Sequence, residues 1–254
     1  MHKKTDKRTA IIDVELLLYA HAAKAESTGT SLKSLIEMMD MAIANVLRST
    51  HATGHYLVVS GRNNFRKVLY DDYKAGRPPK PPLYNPLCEA IEGLNKSRWL
   101  YHDQLEADDL ISIMATNGRV ENPIVCTIDK DMLSVPGWKF NWKKDTWPHY
   151  VSQEEADYQW LVQLLMGDSC DNIQGMKGIG EVKAKALAMK APFGWTPPKA
   201  AKLLYESEGF SLDDYYKSLF LISIWRNPMP KELLDNGLIA EIVKTIPSLQ
   251  NQHN

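Results

Sequence analysis

Short apolar runs alternate with longer segments of helical periodicity over roughly the first 150 residues. Four of the runs predict strands: TAIIDV, HYLVVSG, RWLYHD and NPIVCTID. The segments around them predict helices: ELLLYAHAAKA, SLKSLIEMMDMAIANVLRST with Ser31 or Ser34 as its N-cap, LYNPLCEAIEGLN and EADDLISIMATNG. This alternation is typical of an α/β fold with a mostly parallel central sheet covered by helices.

The pattern changes near residue 150, after which the chain is predicted to form helices and loops. Just before that point, KFNWKKDTWPHYVS predicts a small hairpin or an edge strand. From EEADYQWLVQLLMG onward, every segment is interpreted as helix or loop. We therefore expect two regions, an α/β domain over 1–150 and a helical region over 151–254.

Composition narrows the class of protein without identifying a partner. The 30 lysines and arginines balance the 31 acidic residues, so only local patches of charge can attract a ligand. Cys88, Cys126 and Cys170 form no CxxC pair, which argues against a disulfide framework and a cysteine zinc site. Asp13 and Glu15 interrupt the first apolar run, which argues against a signal peptide, and no uncharged run approaches the roughly 20 residues that span a membrane. We expect a soluble cytoplasmic protein with no membrane partner.

Acidic residues recur where the predicted elements end or begin. They are Asp13, Glu106, Asp108, Asp109, Asp129, Asp131, Asp168 and Asp171. In a parallel α/β sheet, sites form at the carboxyl ends of the strands, so we expect these side chains to converge. Clustered carboxylates need counter-charge, and Mg²⁺ or Mn²⁺ prefers oxygen ligands. Two such ions would activate a water molecule and stabilise the leaving oxygen of a phosphodiester. The alternative is that each aspartate caps a helix or is a solvated surface charge.

A basic segment with interleaved aromatic residues follows the second predicted strand. Its cations are Arg62, Arg66, Lys67, Lys74, Arg77 and Lys80, and its aromatic residues are Phe65, Tyr70 and Tyr73. Cations neutralise phosphates and aromatic faces stack on unpaired bases, so the segment is interpreted as a nucleic-acid contact. Its cations could also hold a reacting phosphate beside the metal site. The alternative interpretation is a solvated, charged loop.

The sequence GMKGIG does not match a dinucleotide-binding fingerprint, because it follows a predicted helix and its glycines are Gly175, Gly178 and Gly180. It predicts a hairpin between two helices, whose backbone N–H groups and following helix N-terminus could approach a phosphate. The surrounding cations are Lys177, Lys183, Lys185 and Lys190, with Glu181 as the nearby acid. The predicted target is a nucleic-acid backbone without sequence readout. A purely structural corner between two helices is the alternative.

Several stretches occur together and in a fixed order between residues 11 and 187. They are IIDVELLLYA, NFRKVLYDDYKAGRPP, EADDLI, TIDKDM and LLMGDSCDNIQGMKGIGEVKAKAL. In this combination the chain resembles the 5′-nuclease superfamily, which includes flap endonucleases, bacteriophage 5′–3′ exonucleases and the 5′-nuclease domain of bacterial DNA polymerase I. Beyond residue 187 we identify no stretch that resembles a known family.

The resemblance implies a nuclease domain of the PIN type with a short arch segment over about 62–97, and a helix-hairpin-helix DNA clamp over about 160–190. It implies a first metal group of Asp13, Glu106, Asp108 and Asp129, and a distal group of Asp131, Asp168 and Asp171, with Asp109 between them. Lys74 and Arg77 match the family's basic pair at the scissile phosphate. The implied DNA contacts are Arg62, Arg66, Lys67, Tyr73, Lys177, Gly178, Gly180, Lys183 and Lys185. A K⁺ ion is implied at the carbonyls near 177–180.

The chain also departs from the family pattern. Many members carry an aspartate after the second strand, where this chain has Ser60 and Gly61. The glycine that usually follows the first aspartate is replaced by Val14, and the segment from Pro78 to Asn95 is short for an arch. One of the family's metal ligands is therefore expected to be missing or replaced by water.

We expect a Mg²⁺-dependent 5′–3′ exonuclease or 5′-flap endonuclease that acts as a monomer on flap, nicked, gapped or RNA-primed DNA, in the cytoplasm of a bacterium or a phage-infected host. One alternative is a catalytically weak protein of the same fold that binds DNA by its structure. A second is an RNA-cutting nuclease of similar sheet topology, against which the glycine hairpin argues.

Overall fold

The computed structural model describes residues 7–246 of the chain, which divides into two compact units. Among the described residues, the first unit comprises the chain up to Arg62, Pro78–Met132 and Gly137–Tyr150. The second comprises Asn63–Arg77, Leu133–Pro136 and the chain from Val151 onward. Residues 247–254 of the predicted helical region lie outside the described residues.

The larger sheet has six strands. They are β1 (Arg8–Asp13), β2 (Ala52–Val58), β3 (Trp99–Leu100), β4 (Pro123–Cys126), β5 (Gly137–Phe140) and β6 (His149–Val151). Their order in the sheet is β3-β2-β1-β4-β5-β6, and the neighbouring strands from β3 through β5 pair in parallel. The order reverses between β1 and β4, and ligands of open α/β sheets bind at the carboxyl ends of strands at such a switch point. The predicted α/β class with a mostly parallel sheet is therefore confirmed.

Four helices of the first unit surround these strands. They are α1 (Val14–Thr28), α2 (Leu32–Thr50), α4 (Tyr84–Leu94) and α5 (Ala107–Thr116), and α3 (Phe65–Leu69) belongs to the second unit. Helix α2 buries Leu35, Met39 and Ile43, which share one face because side chains four residues apart are neighbours on a helix. These residues join a core cluster with Ile12 of β1 and Leu57 of β2. The hydroxyl of Ser31 accepts from the N–H of Ser34 and caps α2, as one of the two predicted alternatives.

The second unit is mostly helical. Its remaining helices are α6 (Gln153–Met166), α7 (Glu181–Ala188), α8 (Pro197–Ser207), α9 (Leu212–Ile222), α10 (Lys231–Leu234) and α11 (Gly237–Thr245). Its core is anchored by two hydroxyls that both donate to the carbonyl of Leu164: that of Tyr205 at 2.9 Å and that of Ser218 at 2.7 Å. None of the described helices is both long enough and apolar enough to cross a membrane.

Two features add to the predicted elements. The segment around residues 137–151 forms the strands β5 and β6 of the main sheet, where β6 is an edge strand, as one of the two predicted alternatives, and β5 pairs in parallel with β4. Between α6 and α7, where only helix and loop were expected, two short strands β7 (Gly167–Asp168) and β8 (Ile173–Gln174) pair antiparallel. A 3₁₀ turn, Ser169–Asp171, connects them, and a second 3₁₀ helix spans Lys130–Ser134. Strands of two residues are too short to leave a periodic signal in the sequence.

Candidate functional site

Asp13 lies at the carboxyl end of β1, beside the end of β4 at the switch point of the sheet. The hydroxyl of Thr127 donates to Asp13 Oδ2 at 3.0 Å and accepts from the N–H of Asp129 at 3.1 Å. Asp129 Oδ1 in turn accepts from the N–H of Asp131 at 2.8 Å. One hydrogen-bond chain therefore fixes three of the predicted ligands where the parallel strands end.

The electrostatics of Asp13 indicate a site that favours a cation. Its side chain is only 3% exposed, and burial, together with the negative charges of Glu15 and Asp129, raises the pKa of Asp13 to about 7. The Thr127 hydroxyl and the Leu16 N–H oppose this rise but do not cancel it. A divalent cation would supply the counter-charge that the ionised carboxylates need.

Glu15 is a member of this site that the sequence did not predict as a functional residue. Its carboxylate accepts from the hydroxyls of Ser60 at 2.6 Å and Tyr84 at 3.1 Å, and lies 3.6 Å from the ammonium of Lys80. Its position two residues after Asp13, in the first turn of α1, was the available signal. Glu15 therefore joins the ends of β1 and β2 to α4 through one carboxylate.

Glu106 and Asp109 form a reciprocal capping box at the start of α5, and Asp109 is fully buried. Ser60 accepts from the N–H of Ala107 at 3.1 Å, so the end of β2 is also connected to this helix start. Glu106 and Asp109 thus cap this helix, and their predicted binding of a metal stays a prediction. Asp108 lies between them in the first turn and is partly exposed.

The donor set fits a hard divalent cation, although the side chains do not form a complete cage. Within residues 7–246, no three His, Cys, Asp or Glu side chains are arranged so that they could hold a metal ion as they stand. Mg²⁺ needs few protein ligands, since it commonly binds one or two carboxylates and keeps several water molecules. The buried carboxylate of Asp13 and the carboxylate of the nearby, partly buried Asp129 meet that requirement.

Gly61, one of the two residues at the position of the family's usual aspartate, has no room for a side chain. A Cβ atom on Gly61 would lie 2.1 Å from the carbonyl oxygen of His102 and 2.2 Å from that of Asp103. The N–H of Gly61 donates to the carbonyl of Leu105 at 2.8 Å, which fixes this close approach. The chain at Gly61 therefore requires glycine because of packing.

In the second unit, Asp168 and Asp171 lie on the β7–β8 hairpin. Asp168 Oδ1 accepts from the N–H of Cys170 at 2.8 Å, which stabilises the 3₁₀ turn. Asp171 is paired with the side chains of Lys74 and Arg77, the predicted phosphate-binding pair. Whether Asp168 and Asp171 hold a metal together with residues of the first unit stays a prediction.

The basic segment contains two kinds of residue. Arg66 is 2% exposed, and its guanidinium donates to the carbonyls of Leu221 at 3.0 Å and Ser223 at 2.7 Å. Tyr73 is equally buried, in a cluster with Ile173 and Leu221. The structure gives Arg66 and Tyr73 a packing role in place of the predicted DNA contact. Arg62 and Lys67 are exposed.

The glycine turn before α7 presents its cations to solvent. Gly178 has a φ of 79°, which favours glycine, and it has open space around its Cα. Gly180 is the N-cap of α7. Lys177, Lys183 and Lys185 are exposed. The Lys183 ammonium donates to the Gly178 carbonyl at 3.2 Å, and the K⁺ ion expected near these carbonyls stays a prediction.

Gly175 differs from the other two glycines of this stretch. A Cβ on Gly175 would lie 2.5 Å from the N of Gly167, and one on Gly167 would lie 2.3 Å from the N of Gly175. The β7–β8 hairpin therefore needs both glycines for close backbone packing, independently of any phosphate.

The sequence of this chain is similar to those of known nucleases. The family model for the 5′–3′ exonuclease, N-terminal resolvase-like domain, matches residues 8–157. Flap endonuclease Xni of Shewanella denitrificans is 31% identical over 71% of this chain and 76% of its own length. The exonuclease of Escherichia phage T7 is 27% identical, and the match covers 67% of this chain but only 56% of that protein.

A solved structure shares the fold over almost the whole chain. It is the D15 flap endonuclease of bacteriophage T5 in a pseudo-enzyme-product complex with DNA and metal ions. Its TM-score is 0.63 at 15% identity, with coverage of 94% of this chain and 97% of that one. With a matched family model that covers more than half of its length, the chain belongs to the 5′–3′ exonuclease family with the N-terminal resolvase-like domain.

Proposed function

We propose that this protein is a divalent-metal-dependent nuclease that hydrolyses phosphodiesters near the 5′ ends of duplex, flap or RNA-primed DNA. The observation that carries the proposal is the hydrogen-bond chain through Asp13, Thr127 and Asp129 at the switch point of the sheet. It places carboxylates where α/β enzymes bind their ligands, in a buried setting that calls for a cation. The nuclease names of its relatives support the same function.

In this proposal, Asp13 and Asp129 hold Mg²⁺ or Mn²⁺, and Asp108, Asp109 and Glu106 complete its shell directly or through water. When bound, the ion supplies an activated water and charge stabilisation for the leaving oxygen. The Thr127 hydroxyl binds both the carboxylate of Asp13 and the N–H of Asp129, which holds the two residues next to each other. Glu15 adds negative charge beside Asp13. The assignment of Asp131, Asp168 and Asp171 to a second ion stays a prediction from the family resemblance.

The DNA-binding part of the proposal concerns the exposed cations of the second unit. Lys177, Lys183 and Lys185 surround a turn whose glycine leaves space for a backbone to approach. Contacts of this kind neutralise phosphates and carry no sequence information, which suits an enzyme that recognises the structure of DNA. Lys67 adds a further exposed cation in α3.

A specific observation favours the alternative of a DNA-binding protein with weak catalysis. Gly61 provides no carboxylate after β2, and the carbonyls of His102 and Asp103 exclude one. A site with fewer ligands binds metal less tightly, so cleavage could require unusually high metal concentrations. The two functions differ in one measurable property, which is turnover at saturating metal.

The test uses a 5′-flap duplex with a fluorescent label, with and without Mg²⁺ or Mn²⁺. We expect the wild type to cleave only with metal, and Asp129→Ala to lower the rate by at least about 100-fold because a metal ligand supplies several kcal/mol to the transition state. Binding of the uncleaved flap in EDTA should persist. Asp40→Ala removes an exposed carboxylate of α2 and is the matched control, with unchanged cleavage.

Full activity of Asp129→Ala would show that Asp129 is not a ligand. Binding without cleavage by the wild type, at every metal concentration tested, would replace the proposed nuclease with the DNA-binding alternative.

A further inference from the structure

Asp171 has both of its carboxylate oxygens engaged by cations of the basic segment. Arg77 Nε donates to Oδ1 at 2.9 Å, and Arg77 Nη2 donates to the same oxygen. The ammonium of Lys74 lies 3.5 Å from Oδ2. The side chain of Asp171 is only 12% exposed, so water screens these contacts less than it would on an open surface. A single negative charge is therefore surrounded by two positive charges.

The backbone keeps this arrangement in place independently of the charges. The N–H of Lys74 donates to the carbonyl of Asp171 at 3.1 Å, and Asn172 Nδ2 donates to the carbonyl of Asp72 at 3.1 Å. Lys74 and Asn172 both have positive φ, 59° and 61°, a conformation that costs energy in residues other than glycine. Strain of this kind persists where the surrounding structure requires it.

Apolar packing also holds the segment that carries Lys74 and Arg77 against the β7–β8 hairpin. Tyr73, the residue directly before Lys74 in the chain, packs with Ile173 and Leu221 in one buried cluster. Asp72 also lies 3.6 Å from the ammonium of Lys217 on α9. The segment that carries Lys74 and Arg77 can therefore stay attached to the β7–β8 hairpin even when its ion pairs with Asp171 break.

We infer that Lys74 and Arg77 act as an internal counter-ion for Asp171, and that a divalent metal and a phosphate can each bind here only by breaking that ion pair. The inference rests on the proposed function, in which Asp171 is a metal ligand and the two cations hold a DNA phosphate. A metal ion at Asp171 competes with these cations, because Oδ1 already accepts two hydrogen bonds from Arg77 and the ammonium of Lys74 lies 3.5 Å from Oδ2. A phosphate that binds the cations must release Asp171.

The exchange has a thermodynamic consequence. Each ligand removes the groups that compete with the other, so metal and DNA raise each other's affinity by the same factor. In the absence of both ligands, the ion pair lowers the affinity of the second unit for a stray divalent ion. Binding of DNA then prepares the carboxylate, and the cations remain beside the phosphate because the backbone contacts of Lys74 and Asn172 hold the segment.

The inference is tested without catalysis by titrating the full chain with Mn²⁺ in the absence of DNA and measuring free Mn²⁺ by electron paramagnetic resonance. We expect Arg77→Gln to bind Mn²⁺ about 2- to 10-fold more tightly, the range for losing an ion pair with one exposed partner. The gain should vanish in the double variant Arg77→Gln with Asp171→Asn. Arg77→Lys, which keeps the charge, should show less of the gain.

The same Arg77→Gln variant should bind duplex DNA more weakly in EDTA, so its two effects have opposite signs. Arg119→Gln removes an exposed arginine of the first unit and is the control, with unchanged affinity for Mn²⁺ and DNA. Because Arg77 is 56% exposed, its variants should fold, and a thermal unfolding curve checks this.

Unchanged or weaker Mn²⁺ binding by Arg77→Gln would overturn the exchange. A gain that persists with Asp171→Asn would overturn it as well, because the competition would then not involve Asp171. Either result leaves the proposed nuclease intact, since that function is decided by the cleavage assay on Asp129→Ala.

Discussion

Lys139 illustrates at the scale of one residue how burial changes chemistry away from the candidate site. It lies in β5, is 4% exposed, and burial lowers its pKa from the usual value to about 7. The unfolded chain therefore binds a proton that the folded protein releases between about pH 10 and pH 7. Because the pKa of Lys139 is lower in the folded protein, the free energy of unfolding falls as the pH decreases from about 10 towards 7. Above about pH 10 this effect of Lys139 on stability no longer changes with pH.

We predict that Lys139→Met is more stable than the wild type near pH 7 and that this advantage shrinks as the pH rises. The largest slope is about 1.4 kcal/mol per pH unit. Urea unfolding between pH 7 and 9.5 measures it, and other titrating groups cancel because both proteins share them. Lys143→Met, at an exposed position of the following segment, is the control with no such slope. A stability difference that does not change with pH would contradict the lowered pKa.

Individual residues also mark the limit of prediction from sequence. Asp13 and Asp129 could be placed at strand ends because hydrophobic periodicity defines those ends. Glu15 was recognised only as an interruption of an apolar run, since nothing in its neighbours reveals the three side chains from 60, 80 and 84 that meet it. Arg66 and Lys67 are adjacent cations in the sequence, yet only the fold determines that Arg66 is buried and Lys67 exposed.

At the scale of elements, the end of β2 is fixed against the segment that precedes α5. Ser60 accepts from the N–H of Ala107, and Gly61 donates to the carbonyl of Leu105. This pair of contacts orients the start of α5, which carries Asp108 and Asp109. Ser60 and Gly61 therefore have a structural role at the position of the family's usual aspartate. The Ser60 hydroxyl binds the start of α5, and the absence of a side chain at Gly61 lets its backbone approach residues 102–105.

We predict that Gly61→Ala destabilises the protein by about 1–3 kcal/mol, because its Cβ would overlap backbone atoms that cannot move independently. Gly61→Asp should destabilise it further and should not improve metal binding. Urea unfolding measures the change. Gly93→Ala in α4 is the matched control: its Cβ meets open space, and helix propensity favours alanine by up to about 1 kcal/mol. A Gly61→Ala protein as stable as the wild type would show that the backbone at 102–103 yields easily.

The predictability of the elements follows their length and periodicity. The longer helices were predicted because each repeats its apolar period several times, and β1 was predicted because it is a short, continuous apolar run. The parallel pairing of β5 with β4 could not be predicted from KFNW, since pairing direction depends on the path of the chain between strands. The β7–β8 hairpin has two residues per strand and is set by the contact between Gly167 and Gly175, which is visible only in three dimensions.

At the scale of the whole molecule, each unit contributes a different kind of chemistry. The first contains buried carboxylates joined by hydrogen bonds, and the second contains exposed lysines on a glycine turn. Neither unit carries a large net charge, so the difference between them lies in the local placement of their charged side chains. Binding of DNA should therefore depend on salt through the second unit's lysines, and this dependence can be measured separately from cleavage.

We predict that Lys183→Gln with Lys185→Gln weakens binding of a nicked duplex and lowers the slope of log affinity against log salt by about 1–2, since each lost phosphate contact removes roughly 0.9. Fluorescence anisotropy in EDTA at several KCl concentrations measures the slope while excluding cleavage. Lys185 forms an ion pair with Glu181 at 2.6 Å, so part of its charge is already compensated. If Lys183 alone contacts a phosphate, the slope should change by the lower value of this range.

Lys24→Gln with Lys33→Gln removes two exposed charges from the first unit and controls for net charge. An equal loss of slope in both double variants would mean that DNA responds to overall charge, and an unchanged slope in the first would exclude the glycine turn as the DNA-binding surface.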